Sequence, residues 1–105
     1  MANAQIKFLN KRGGGALKAT LITEIRQILN QHPGVFLSSH EIMNLMSPTS
    51  LAQLRLLLKN YNGSGFAEPA SFIGSLSSEL TQQGILIYGH KRCTVLNKLK
   101  AAFAA

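Results

Sequence analysis

The residues best suited to chemistry in this sequence are the adjacent basic side chains of His90, Lys91 and Arg92. Lysine and arginine donate hydrogen bonds to phosphate oxygens, and an arginine can also enter a narrow minor groove of DNA. Polar residues also occur at surface turns for solubility alone. The charge of the whole chain nevertheless favours contact with an anionic partner.

A second basic group lies near the N-terminus and comprises Lys7, Lys11 and Arg12. Three consecutive glycines follow Arg12, and glycine gives the backbone great conformational freedom. We expect residues 1–19 to form a flexible basic arm that tracks DNA and becomes ordered on binding. A terminus without a role is the alternative.

The formal charge of the chain is +7, from eleven Lys and Arg residues against four Glu. The segment from Glu24 to Glu79 contains all four acidic residues, whereas eight of the eleven basic residues lie before or after it. A role in solubility alone would mix the two signs along the chain. Their separation favours a polyanionic partner.

Residues for catalysis or metal binding are dispersed. His32, His40 and His90 stand far apart, and with one cysteine and no aspartate they give no metal-ligand spacing. Cys93 lies on a predicted strand, where it is expected to be a small apolar residue and not a nucleophile. We therefore expect a protein that is not an enzyme and that has no cofactor and no metal site.

Apolar periodicity predicts the helices that would position the basic groups. A first helix is predicted from Thr20 to the residue before Pro33, with an apolar face that includes Leu21, Ile25 and Leu29. The apolar run of residues 35–37 is too short for a helix, so it predicts an extended connector or a small strand.

The clearest helix boundary is the capping box Ser38-x-x-Glu41, which predicts a helix over about Ser39–Met46. Ser47-Pro48 predicts the start of the next helix, because proline is well tolerated at the first helical position. That helix carries a leucine stripe over Leu51–Leu58 that continues to Tyr61, and Leu56 lies off the stripe.

Turn residues predict a loop over residues 60–68, and Pro69 then opens a long helix for which Gly84 is a natural C-cap. Residues 85–88 and 93–96 are strand formers, so they predict a β-hairpin with Gly89–Arg92 as its basic tip. Asn97 is expected to cap a short terminal helix that carries Leu99 and Phe103.

This order of elements resembles the winged helix-turn-helix superfamily over about residues 20–97. The resemblance implies one domain over residues 20–105, mainly α with a small β-hairpin (α+β), with Leu51–Tyr61 as an extra helix. It also implies that Ala70–Gln83 is the recognition helix and that Gly89–Arg92 is the tip of the wing. The extra helix leaves open which helix pair forms the helix-turn-helix.

The presumed recognition helix has an apolar side and an opposite side that is small, neutral and rich in hydroxyl groups. Gly74 in its interior costs about 1 kcal/mol relative to alanine, which indicates close approach to another surface. This face has no arginine or asparagine for bidentate contacts, which favours backbone contacts over base reading. An ordinary solvated or partner-packed face is the alternative. The candidate DNA-binding residues of this face are Ser71, Ser75, Ser78, Thr81 and Gln82.

These features predict a DNA-binding transcriptional regulator or architectural factor that acts on double-stranded DNA in the cytoplasm, on the nucleoid in a bacterium. No apolar run approaches the ~20 residues of a membrane span, so no membrane partner is expected. Structured RNA stays an alternative target, and an adaptor docking on an acidic protein through Leu51–Leu58 stays an alternative function. Leu56, or Leu99 and Phe103, are the candidate contacts for a homodimer.

Overall fold

The computed structural model describes residues 15–59 and 69–105. The predicted arm cations Lys7, Lys11 and Arg12, and the predicted loop over residues 60–68, lie outside these described residues. The described chain forms four α-helices and a three-stranded antiparallel sheet. At this level the predicted fold class, mainly α with a small β-hairpin, is confirmed.

The helices pack around one core and the sheet covers one side of it. The helices are α1 Gly15–Asn30, α2 Ser39–Leu45, α3 Pro48–Lys59 and α4 Pro69–Gln82. The strands are β1 Leu37–Ser38, β2 Ile87–Cys93 and β3 Lys98–Ala104. The strand order is β1-β3-β2, so the last strand lies at the centre of the sheet.

Helix α1 begins at Gly15, so the prediction of a start at Thr20 was wrong, and residues 15–19 belong to this helix and not to an arm. The residues between these positions include two alanines, a leucine and a lysine, which are strong helix formers. Two contacts also hold this first turn: Leu17 packs against the core, and Lys18 Nζ lies 3.6 Å from Glu79 Oε1.

The capping box at the start of α2 is confirmed. Ser38 Oγ accepts the backbone N–H of Glu41 at 3.3 Å, and Glu41 Oε1 accepts the backbone N–H of Ser38 at 3.0 Å. Both exchanges satisfy donors that a helix start would otherwise leave unpaired. Ser38 also pairs with Ala102 in the sheet, so the cap connects α2 directly to β3.

Helix α3 is capped by its own chain and by α1. Ser47 Oγ accepts the backbone N–H of Ser50 at 3.2 Å, as expected for an N-cap residue. The carboxylate of Glu24 in α1 accepts the backbone N–H of Ser47 at 2.9 Å and the Ser47 hydroxyl at 3.1 Å. It also accepts the Ser50 hydroxyl. This contact between α1 and α3 was not predicted.

The predicted apolar faces of the helices form the core. Gly84 has a φ of 77°, which is the left-handed conformation of a helix C-cap, and it ends α4 where the sequence predicted. Leu56 lies off the stripe of α3, as predicted, and is 61% exposed. The fully buried larger side chains of the core include Leu21, Ile25, Leu29, Ile42, Leu54, Phe72, Ile73 and Leu76.

The predicted hairpin exists, but the position predicted for its turn was wrong. The turn is Thr94–Asn97, so His90, Lys91 and Arg92 lie within β2 and not at a tip. Asn97 has a φ of 55°, a left-handed conformation that asparagine tolerates better than most residues, and its N–H donates to Cys93 O at 2.7 Å.

The predicted terminal helix was also wrong, because Lys98–Ala104 is the central strand. Phe103 is opposite Leu37 on one neighbour and Tyr88 on the other, and it is only 2% exposed. Burial of this ring and of the two flanking alanines favours the strand over a solvated helix. Phe103 is therefore a core residue and not a surface contact for a dimer.

Candidate nucleic-acid interface

An open groove of about 830 Å³ lies between α4 and the hairpin of β2 and β3. The N-terminal half of α4 and the start of α2 form one wall, and residues of β2, β3 and their turn form the other. The groove is lined by Ser39, His40, Ala70, Ser71, Gly74, Ser75, Ser78, His90, Leu96, Lys98, Leu99, Lys100, Ala101 and Phe103.

Three of the five predicted recognition-helix residues lie on the α4 wall of the groove: Ser71, Ser75 and Ser78. Ser71 is exposed and the other two are half-buried, while the apolar side of α4 faces the core. Thr81 and Gln82 do not line the groove. Thr81 is half-buried and its hydroxyl donates to Ser77 O at 2.9 Å, which is a contact within the helix.

The first turn of α4 also belongs to this wall, through Ala70 and Ser71. The first backbone N–H groups of a helix have no partner within the helix, and they lie at the positive end of the helix dipole. In α4 the first of these groups belong to Ala70 and Ser71, since Pro69 has no N–H, and an anion in the groove would be a suitable partner for them and for the serine hydroxyls.

Gly74 lies where α4 comes closest to α2. A Cβ added at Gly74 would lie 3.4 Å from Ser39 Cβ, which is ordinary van der Waals contact. The close approach that the sequence predicted is therefore to another helix of the same chain. Gly74 also lines the groove, and because glycine has no side chain, nothing projects into the groove from this position.

Lys98 and Lys100 provide the positive charge on the hairpin wall. Lys98 is exposed and Lys100 is half-buried. Neither was predicted as a site residue, because the sequence around them predicted a short terminal helix. The signal that would have found them is their spacing of two residues, which places both side chains on one face of a strand.

Lys91, one of the three predicted wing residues, forms an ion pair within the chain. Its Nζ lies 3.1 Å from Glu41 Oε1, and the Glu41 side chain is buried while the Lys91 side chain is half-buried. The positive charge of Lys91 is thereby compensated within the chain. Lys91 is also directly opposite Lys100 in the sheet, where two like charges repel, so the carboxylate of Glu41 offsets an unfavourable pair.

Glu41 is only 8% exposed, and its pKa is about 2. Burial raises this pKa, but hydrogen bonds from the Ser38 backbone, from the backbone and hydroxyl of Thr94 and from Lys91 outweigh burial and hold it well below 4.5. Glu41 is therefore ionised at neutral pH and connects the start of α2 to the hairpin turn.

His90 and Arg92, the other two predicted wing residues, are exposed on β2. The His90 ring lines the groove and packs edge-on against Tyr88, with ring centroids 5.2 Å apart. Arg92 Nε donates to Asn97 Oδ1 at 2.9 Å, so this guanidinium braces the hairpin turn. The structure therefore separates the three adjacent basic residues into three different environments.

The hairpin turn displays apolar side chains where a basic tip was predicted. Val95 is 46% exposed, Leu96 is 37% exposed, and Leu99 at the start of β3 is 70% exposed. We call these three residues the apolar turn cluster. Two of them, Leu96 and Leu99, line the groove.

Cys93, at the base of the turn, is fully buried. Burial raises the pKa of its thiol, but hydrogen bonds from the Ser38 hydroxyl and from the backbone of Leu96 and Val95 lower it below 9.0 despite the nearby charge of Glu41. The Ser38 Oγ to Cys93 Sγ distance is 3.1 Å. The sulfur thus acts as an acceptor that orders the turn.

Within residues 15–59 and 69–105, no three His, Cys, Asp or Glu side chains come together as a metal site would require. In the same part of the chain, no helix has the length and apolar character needed to cross a membrane. Comparison with protein-family models, with curated proteins and with solved structures gives no match.

Proposed function

We propose that this protein is a non-enzymatic winged-helix domain that binds duplex DNA by holding the phosphate backbone in the groove between α4 and the hairpin. The observation that carries the proposal is the composition of this groove. It combines the first turn and serine face of α4 with Lys98 and Lys100, and none of the glutamates that the structure describes lines it.

The element order supports the winged-helix part of the proposal. A helix, a short strand and a helix precede a long helix that leads into a hairpin, and the first strand pairs with the last. This order resembles the superfamily named above, with α3 as the additional helix. In that comparison α4 is the recognition helix and β2 and β3 form the wing.

The distribution of charge supports an anionic ligand. Each of the three described glutamates is engaged elsewhere: Glu24 with the start of α3, Glu41 with Lys91, and Glu79 with Lys18. Their carboxylates therefore have partners within the chain, and the residues that line the groove include Lys98 and Lys100 of the hairpin and three serines of α4. Phosphates are anions that such a set of donors can bind.

The groove favours contacts to the sugar–phosphate backbone over the reading of bases. Serine hydroxyls and backbone N–H groups bind phosphates of any sequence. Within residues 15–59 and 69–105, no arginine, asparagine or glutamine lines the groove to make bidentate base contacts. We therefore place the protein among architectural or weakly sequence-selective DNA-binding factors.

The test is fluorescence anisotropy with a random-sequence duplex over a series of salt concentrations. The double variant Lys98→Ala with Lys100→Ala removes two phosphate contacts. The slope of log affinity against log salt should therefore become shallower by about 1.8. The matched control is Arg26→Ala with Arg55→Ala, which removes the same charge from exposed sites on α1 and α3 that do not line the groove.

Absence of duplex binding, or equal loss of slope in the control variant, would exclude the proposal. The same series with single-stranded DNA and with a hairpin RNA decides among the polymers. Because charge attracts all three, only a preference for duplex DNA at the higher salt concentrations supports the DNA assignment.

A protein-docking adaptor is the second candidate, and exposed leucines favour it. Leu56 on α3 is exposed, and so is Leu45 at the end of α2. Exposed leucines are available for contact with a protein partner, although single exposed apolar side chains are common on any surface. A nuclease-resistant complex of fixed stoichiometry that is lost in Leu56→Ser would support this candidate.

A further inference from the structure

The apolar turn cluster is held in a fixed conformation by polar contacts beneath it. Asn97 N–H donates to Cys93 O at 2.7 Å, and the backbone N–H and hydroxyl of Thr94 donate to Glu41 at 3.0 and 2.7 Å. Arg92 Nε donates a hydrogen bond to the side chain of Asn97. A preorganised turn loses little conformational entropy when its side chains are buried by a partner.

Two basic residues lie next to the apolar turn cluster. Arg92 precedes it and Lys98 lies within it, and both side chains are exposed. Apolar side chains that are bordered by cations fit a partner whose apolar interior lies between rows of negative charge. A DNA duplex has this arrangement, since stacked base pairs lie between two phosphate backbones.

The cluster is also continuous with the groove of the proposed function. Leu96 and Leu99 line the same groove as Lys98 and Lys100. A duplex whose backbone occupies the groove would therefore meet the hairpin turn at one end of the contact. This continuity favours DNA over a lipid surface or an unrelated protein as the partner of the cluster.

We propose that Val95, Leu96 and Leu99 form a wedge that inserts between base pairs and bends the duplex that the groove holds. This inference rests on the proposed function. Insertion requires two stacked base pairs to separate, which is easiest at flexible pyrimidine–purine steps and at mismatches. The bend brings more of the duplex against the protein, and the protein therefore selects deformable sites without reading bases.

The experiment uses a duplex of about 30 base pairs with a donor and an acceptor dye at its ends and 2-aminopurine at a central TA step. The full-length chain should raise energy transfer, because bending shortens the end-to-end distance. It should also raise 2-aminopurine fluorescence, because the base unstacks. A central mismatch should strengthen binding by about tenfold, since part of the unstacking cost is already met.

The tip variant is Val95→Ser with Leu96→Ser, and its matched control is Leu45→Ser with Leu56→Ser on exposed leucines away from the groove. Because Leu96 also lines the groove, the affinity of the tip variant for the continuous duplex does not test the wedge, and bending and mismatch preference are the deciding measurements. The tip variant should no longer bend the duplex or prefer the mismatch. The control should do both as the unchanged chain does.

Leu99→Ser is a second variant outside the turn, and it tests the wedge if the double substitution disturbs the fold. Duplex binding without bending by the unchanged chain would overturn the wedge and leave the proposed function intact. Absence of duplex binding would overturn both. Two further results would overturn the wedge. The first is bending of the duplex by the tip variant. The second is binding of the unchanged chain to anionic lipid vesicles, if the tip variant loses that binding and the control variant keeps it.

Discussion

The carboxylate of Glu41 accepts two hydrogen bonds from Thr94, one from its backbone N–H at 3.0 Å and one from its hydroxyl at 2.7 Å. Glu41 lies in the first turn of α2, and Thr94 begins the hairpin turn. One side chain thus fixes the hairpin relative to the helical part of the fold. The groove depends on that relationship, because the hairpin is one of its walls.

Acid should weaken the fold through Glu41. Its pKa is about 2 in the folded protein against 4.5 without these contacts. Protonation therefore favours the unfolded chain: the stabilisation is complete above pH 4.5 and is lost as the pH falls towards 2. The lost free energy of unfolding is at most about 3 kcal/mol. Urea unfolding at a series of pH values measures it.

The variant Glu41→Gln tests whether Glu41 causes this loss of stability in acid. It should be less stable at neutral pH by about 2–4 kcal/mol, because the ion pair to Lys91 and the acceptors for Thr94 are impaired. Its stability should also fall less steeply in acid. Glu24 contributes to the remaining loss of stability in acid, in the same direction. Burial raises its pKa, but hydrogen bonds from Ser50 and Ser47 outweigh burial and lower it. An unchanged acid dependence in Glu41→Gln would contradict this assignment.

Lys91 and Lys98 should give opposite phenotypes. Lys91→Met removes the partner of a largely buried carboxylate, so we expect a loss of about 1–3 kcal/mol of stability. Its effect on the salt dependence of duplex binding should be small. Lys98→Met removes an exposed groove charge, and should reduce the salt slope with little change in stability.

Chemical denaturation and anisotropy on the same preparations separate the two effects. The prediction fails if Lys91→Met reduces the salt slope as much as Lys98→Met does.

Gly89 should not tolerate alanine while Phe36 keeps its position. A Cβ added at Gly89 would lie 2.7 Å from Phe36 Cε2, well inside van der Waals contact. We expect Gly89→Ala to destabilise the protein by about 1–3 kcal/mol through displacement of the ring. An aromatic ring that covers a strand glycine is a known way of stabilising an edge strand, and β2 is at the edge.

A double-mutant cycle with Phe36→Ala measures this contact. The alanine at position 89 should cost less in the Phe36→Ala background, because the clash is absent there. Purely additive free energies would show that the ring is not the cause.

The cap of α3 should depend on both Ser47 and Glu24. Ser47→Ala removes the acceptor for the Ser50 N–H and one donor to Glu24, at a cost of about 1–2 kcal/mol. Glu24→Ala should cost a similar amount, and the two losses should not add, because they share the same contacts. Thermal unfolding of both single variants and the double variant provides the measurement. Thr23→Ala, at an exposed position of α1, is the control.

Local signals in the sequence were sufficient for most of the helical structure. The capping box at Ser38, Pro48 at a helix start and Gly84 at a helix end each act within a few residues, so they could be identified without tertiary information. The apolar faces of the helices were equally accessible, since their periodicity depends only on helical geometry. The start of α1 was missed although residues 16–19 are strong helix formers, and the contact of Lys18 with Glu79, which is distant in the sequence, could not be predicted.

The hairpin and the groove were decided by tertiary contacts. Lys98–Ala104 reads as a helix in isolation, but it pairs with β1 on one side and β2 on the other, and Phe103 becomes buried between them. That pairing moves the turn to Thr94–Asn97 and places Lys91 beside Glu41. The basic composition was visible in the sequence. Which lysines face the groove depends on strand register, and strand register is set by the burial of residues far apart in the chain.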